Sequence, residues 1–185
     1  MKSLLTRIDQ KITIKMFTYG ALLMGLFMLV VLPLEASMYA SRTGNANMPD
    51  SRLFYDAKWL FALAEILGQS GRRYYVISRL RFDILWPLTY GFFLITSLSL
   101  TWSFSKIKPY LFIMPLLGVV CDLLENTMVS IVFIAYPTEL GVVAHMSGFM
   151  TFFKWLFIAL TILMIVLGLM IKSFSMIHNK HQHTS

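Results

Sequence analysis

An all-α integral membrane fold, a four-helix bundle with an amphipathic helix in its outer loop, is what this sequence predicts. Three observations predict it. The first is composition. Of 185 residues, 57% are hydrophobic and 14% charged, whereas a soluble domain carries about 25% charged residues. Too few charges remain to cover a water-facing surface. The second is four apolar runs, at about 16–34, 84–104, 110–136 and 142–171, each long enough to cross a hydrocarbon core, which takes about 20 helical residues. The third is the brevity of two connections, Lys106-Ile107-Lys108-Pro109 and Tyr136-Pro137-Thr138-Glu139. Short links of this kind make the last three spans antiparallel neighbours. Residues 1–185 therefore read as a single membrane domain. Cys121 is the sole cysteine, which excludes a disulfide-stapled secreted fold. The net charge of +7 does not point to nucleic acid, because the basic residues flank apolar runs instead of forming one stripe.

The first span follows Lys2, Arg7, Lys11 and Lys15, as the core of a signal peptide would. Cleavage after Ala40 would place Met38 at the −3 position, and cleavage after Ala36 would place Leu34 there. Neither is small, so the span is expected to stay as an anchor. Orientation follows from Lys and Arg. With the N-terminus in the cytoplasm, the inner side holds eight: Lys2, Arg7, Lys11, Lys15, Lys106, Lys108, Lys172 and Lys180. The outer side holds seven, all within residues 36–82, a segment long enough to weigh less. Both termini are expected inside, in a bacterial inner membrane.

The outer segment 50–82 is expected to be helical. Arg42 to Pro49 reads as a turn, and Asp50 as a helix start. Leu53, Phe54, Ala57, Leu60, Phe61, Ala64 and Leu67 then recur on one face of a 3.6-residue period. This makes either a lid over the outer mouth or a helix that closes the fold by packing. Gly68 ends it, Ser70 caps a second start, and that second helix is expected to run unbroken into the second span. Arg72 and Arg73 at its beginning oppose the macrodipole. They make an anion site for a lipid phosphate or carboxylate, or else pair with Asp50, Asp56 or Glu65.

Polar residues inside the spans are the main functional signal, because an ionisable group there costs a few kcal/mol or more. Asp122, Glu125 and Asn126 lie three and four residues apart, on one helical face that Ser130 extends. Lys154 in the fourth span shares its face with Ser147, Thr151 and Thr161, while His145 is turned away. Antiparallel packing brings Lys154 to the depth of Asp122 and Glu125, so an ion pair is expected. Along the second span Arg72, Arg79, Asp83, Trp86, Tyr90, Ser97 and Thr101 form one polar stripe, Arg79 and Asp83 are spaced to pair, and Pro87 is placed to kink the helix. Glu35 ends the first span. These groups crowd the middle and outer half, which describes a pocket reached from outside. The alternative is structural glue between helices. Two acids facing one Lys leave a surplus carboxyl, protonated or paired elsewhere in a low dielectric, and such a pair can act as acid and base.

On this reading Asp122, Glu125 and Lys154 handle protons, Tyr90, Asn126, Asp83, Trp86, Glu35 and Arg79 line the ligand site, and Arg72 and Arg73 hold an anionic head at its mouth. The ligand is an amphipathic lipid or isoprenoid-like molecule. The rival is a scaffold or partner subunit whose buried charges specify assembly with another membrane protein. No phosphate loop, HExxH, CxxC, serine-elbow or kinase motif is present, so no metal site is expected and no cofactor is named. The tail residues His178, His181 and His183 read as a solvated end.

Gly68-Gln69-Ser70-Gly71-Arg72 with Tyr75, then Asp83, Pro87 and Tyr90, then Asp122-Leu123-Leu124-Glu125-Asn126, and finally Lys154-Trp155, together resemble a group of small, largely uncharacterised bacterial four-span membrane proteins. The resemblance covers roughly residues 49–170. It implies the fold and the sites but carries no reaction with it. A looser similarity, in size and intramembrane acids, is to the emopamil-binding superfamily, whose His-containing motif is not matched here.

Overall fold

The computed structural model describes residues 2–44, 46–103 and 105–182, with side chains described for 5–44, 46–103 and 105–175. Phe104, the expected end of the second span, Asn45 of the expected turn, His183 and the side chains of His178 and His181 lie outside these. Among the described residues every regular element is helical, as the composition predicts.

Helix α1 (Lys2–Lys11) precedes the spans and was expected only as a basic flank. It is short and one-sided. Leu5 is buried against Leu98, Leu111 and Phe112, and Asp9 receives Lys108 Nζ at 2.8 Å and Ser99 Oγ at 2.9 Å. The first span is longer than the expected 16–34. It runs through α2 (Ile14–Leu26), a π turn at Phe27–Val31 and α3 (Leu32–Thr43). Pro33 explains the wide turn, because its ring crowds the carbonyl four residues back, at Leu29, and supplies no N–H. The turn directs Phe27 inward, where its ring stacks 5.7 Å from Phe82 and 5.8 Å from Trp86. Helix α3 stops only at Gly44, whose φ of 64° is left-handed.

The outer segment departs from expectation at its start. Asp50 sits in a single 3-10 turn, Pro49–Ser51. Helix α4 (Ala57–Arg81) begins seven residues later, capped by Asp56, whose carboxylate accepts the Trp59 N–H at 2.8 Å. Leu53 and Phe54 therefore fall off the stripe and are exposed, while Leu60, Leu63, Ala64 and Leu67 are buried against Val129, Val132 and Phe133. This half of α4 closes one end of the bundle by packing. At Gly68 the backbone leaves the helix, with φ 59° and ψ −177°, and the helix resumes in a new direction.

The expected continuity into the second span fails. The chain breaks at 82–84, and α5 (Leu85–Thr101) starts afresh. Pro87 causes the break in place of a kink. It sits in the first turn of α5, where its missing N–H is no loss, while its ring disfavours helix through Asp83. After a four-residue helix α6 (Lys108–Leu111), Pro115 plays the same part at the start of α7 (Ile113–Ala135). Helix α8 (Gly141–Gln182) is the longest. It forms its most extensive pairing with α7, while α5 packs on both and α2 lies along α5. Four helical stretches are long and apolar enough to cross a membrane, Ile14–Thr43, Ala57–Thr101, Lys108–Ala135 and Gly141–Ser175. Large apolar side chains such as Leu29, Ile134, Val142 and Phe174 point outward, as lipid-facing surfaces of a multi-pass membrane protein do.

Candidate functional site

Lys154 is the centre of the charged interior. Its Nζ donates to Glu125 Oε2 at 2.6 Å, to Asp50 Oδ1 at 3.0 Å and to Asp122 Oδ1 at 3.5 Å. The three protons of an ammonium are thereby used. Helical periodicity explains two of the three partners, since Asp122 and Glu125 project from one face of α7 towards α8. The residues flanking Lys154 on α8 are made inert by bonding to their own helix. Ser147 donates to the Ala144 carbonyl, Thr151 to Ser147 and Thr161 to Phe157. Asp122 also accepts the Tyr90 hydroxyl at 3.0 Å and the Asn126 amide at 3.1 Å. Glu125, wholly buried, faces the Tyr55 hydroxyl at 3.4 Å.

Arg79 is the second cation. It pairs with Asp83 on its own stripe, as the four-residue spacing predicts, and with Asp50 Oδ2 at 2.8 Å. Its guanidinium lies 4.5 Å over the Tyr75 ring. Asp50 thus bridges the two cations, one oxygen to each. Its side chain keeps 31% of its exposure. Burial raises its proton affinity, but the Lys154 ammonium and then Arg79 overcome this and hold the carboxyl well below its ordinary range. Burial, and then the facing Glu125 carboxyl, push the Tyr55 phenol well above the usual tyrosine range, so it remains a donor.

The sequence reading missed Asp50 as a site residue, and with it Tyr55, Tyr75 and Tyr39. Asp50 lies in an irregular segment, where no periodicity tells which way a side chain points, and Pro49-Asp50 reads equally well as a helix start. Arg72 and Arg73 do not join the site. Arg72 donates to the Ala64 carbonyl at 2.7 Å and lies 4.5 Å over the Tyr136 ring, so it serves the kink at Gly68. Arg73 is exposed, as is His145. Glu35 lies within α3 and not at its end. It accepts long contacts from Ser78 at 3.3 Å and Tyr74 at 3.4 Å.

Beside the charged cluster is a cavity of about 950 Å³. One wall is the first span, with Met24, Met28 and Leu32, and the opposite wall is α8, with Trp155, Ile158 and Ile162. Trp86 and Tyr90 form its back, at a ring separation of 5.6 Å. Its polar end holds Glu35, Asp50, Asp83 and Asp122 with Arg79 and Lys154. Ile165, which packs on the cluster of Leu98, Leu111 and Phe112, lines the cavity as well. The volume is in the range of small-molecule sites, and apolar walls with a few converging polar groups are their usual form. Of the residues expected at the site, Glu125 and Asn126 stand behind this lining, and Arg72 and Arg73 are absent from it.

Among the described residues, one set of acids is grouped closely enough to ligate a cation other than Lys154. Oxygens of Asp50, Asp122 and Glu125 all lie within 4.8 Å of one another. The ammonium already sits among them. No protein-family model, curated protein or solved structure matches the chain.

Proposed function

We propose that the protein binds an amphipathic lipid or isoprenoid-like molecule in the cavity between the first span and α8, with Asp122 as the group that exchanges a proton with it. The observation that carries this reading is the cavity itself, some 950 Å³ of mostly apolar lining that ends on ionised side chains inside a membrane-spanning bundle. Asp122 lines that space and is hydrogen-bonded there to a second lining residue that can give a proton, Tyr90. Glu125 and Asn126 act behind it, holding Lys154 and Asp122 in place. The placement belongs to the same proposal: a bacterial inner membrane, both termini cytoplasmic, and the cavity in the outer half. Its support is the balance of eight inner against seven outer Lys and Arg.

A second reading has an observation of its own. Lys154 and Arg79 tie α4, α7, α8 and the 49–51 turn together through carboxyls that are all engaged, as an assembly device would. Asp122→Asn and Lys154→Met separate the two. Under the ligand reading Asp122→Asn protein purifies folded, with a stability loss below about 2 kcal/mol, and without the lipid-sized adduct that native mass spectrometry finds on the parent. If both variants fail to accumulate and the parent carries no adduct, the assembly reading holds instead.

A further inference from the structure

The charge at the polar end of the cavity selects among ligands. Glu35, Asp50, Asp83 and Asp122 face it against Arg79 and Lys154, two more acids than bases. Lys154 is not free for an anion, and Arg79 is only partly so, its buried Nε having no hydrogen-bond partner among the described residues. Lys154 spends its protons on three carboxyls, and Arg79 is shared between Asp50 and Asp83. Arg72 and Arg73, the other candidates for an anionic head, lie outside the lining. A phosphate placed here would meet carboxyls in excess of cations, which repel an anion wherever they are ionised and offer it few donors.

What the protein leaves unspent around this space are mostly acceptors, beside the Arg79 Nε and the Tyr39 hydroxyl. Glu35 is met only by long contacts of 3.3 and 3.4 Å. Asp50 keeps nearly a third of its exposure. The Tyr39 hydroxyl, in a residue 4% exposed that lines the same space, has no hydrogen-bond partner among the described residues. Such a buried orphan needs a partner. Acceptors in excess, beside apolar walls, match a head that brings donors and positive charge.

We propose that the ligand of this cavity is a cationic amphiphile, a protonated amine on an apolar chain, whose head sits between Glu35, Asp50 and Asp83 while its chain lies along Met28, Trp155 and Ile158. The proposal rests on the cavity being a ligand site and names the ligand's class. Phosphate- and carboxylate-headed lipids are thereby excluded.

Native mass spectrometry of the full chain in neutral detergent tests it with four probes at pH 7: dodecylamine, dodecanol, dodecyl phosphate and butylamine. One dodecylamine is expected to bind per protein, at least tenfold more tightly than dodecanol or dodecyl phosphate. Butylamine, lacking the chain, should bind at least tenfold more weakly. Glu35→Gln, which removes one acid whose contacts are all long, should weaken dodecylamine at least threefold and leave dodecanol unchanged. Dodecanol or dodecyl phosphate binding as well as the amine, with loss in Ala40→Trp protein whose new indole intrudes on the lining, would overturn the cationic head and leave the cavity a ligand site. Butylamine binding as well as dodecylamine would overturn the amphiphile in favour of a soluble amine. Binding of no C12 probe, or binding that Ala40→Trp does not reduce, would overturn the ligand site as well.

Discussion

Lys154 is held by carboxyls that approach from two helix-face positions and one turn. Removing its charge while keeping its length, Lys154→Met, strands Asp50, Asp122 and Glu125 around a methyl group. Breaking a buried pair by deleting one partner costs about 3–5 kcal/mol, and thermal denaturation in detergent should show a loss of that size. Asp122→Asn is milder. Tyr90 and Asn126 can still hydrogen-bond the amide, so the expected loss is below about 2 kcal/mol. Asp50 sets the response to acid. Its folded-state proton affinity is depressed below the ordinary value of 3.8. Its contribution is therefore complete above that value and is lost only as pH falls through the lower folded value. Between pH 8 and pH 5 the stability difference between the parent and Asp50→Asn protein should stay constant, and it should shrink below pH 4. A difference that already shrinks between pH 7 and pH 5 would show that Asp50 is not held by Lys154 and Arg79. At this scale the helical groups were legible. Spacing alone pairs Arg79 with Asp83 and sets Asp122, Glu125 and Asn126 on a face towards Lys154. Asp50 and Tyr55 were not legible, because they come from irregular chain whose direction depends on what it packs against.

At the scale of elements, glycines separate strain from crowding. Gly68 carries φ 59° with open space where a Cβ would be. Gly68→Ala is therefore expected to cost about 1–3 kcal/mol, the strain of a Cβ at a positive φ with extended ψ, a region essentially only glycine adopts. Gly148 is the opposite case. A Cβ there would overlap the Tyr55 carbonyl, a backbone atom that cannot swing aside. Gly148→Ala should cost at least about 2 kcal/mol and should loosen the 52–56 segment, which a protease accessibility assay would detect. Gly25, helical and with open space around it, is the control. Gly25→Ala should be neutral or stabilising by up to about 1 kcal/mol. The sequence made Gly68 legible as a helix end, since it is the first glycine after the apolar stripe and positive φ costs glycine little. It did not reveal that Pro87 breaks the helix where a kink was expected. Both outcomes follow from the same missing N–H, which leaves the Asp83 carbonyl without its helical partner, while Arg79 holds the Asp83 carboxylate beside it. Helix α1 was hidden because its apolar face is only two or three residues wide and reads as part of a basic flank.

The whole molecule is asymmetric. Helices α5, α7 and α8 form a packed core, and the first span leans on α5 with most of its surface outward. Composition and run length were enough to predict four crossings, because the cost of hydrocarbon contact falls on every residue of a span. The cavity was not predictable in its walls. It exists because the first span and α8 flank α5 without closing on each other, a relation between distant segments that no local pattern encodes. That open flank also distinguishes the ligand reading from the assembly reading, since an assembly device needs no lipid-sized space beside its charges. The most direct measurement is solvent extraction and mass spectrometry of the protein purified from its own membrane, the parent beside Ala40→Trp. The account predicts one defined small amphiphile, close to one per chain in the parent and reduced at least tenfold in the variant. The same mixed lipid complement in both, with no molecule near unit stoichiometry, would contradict it.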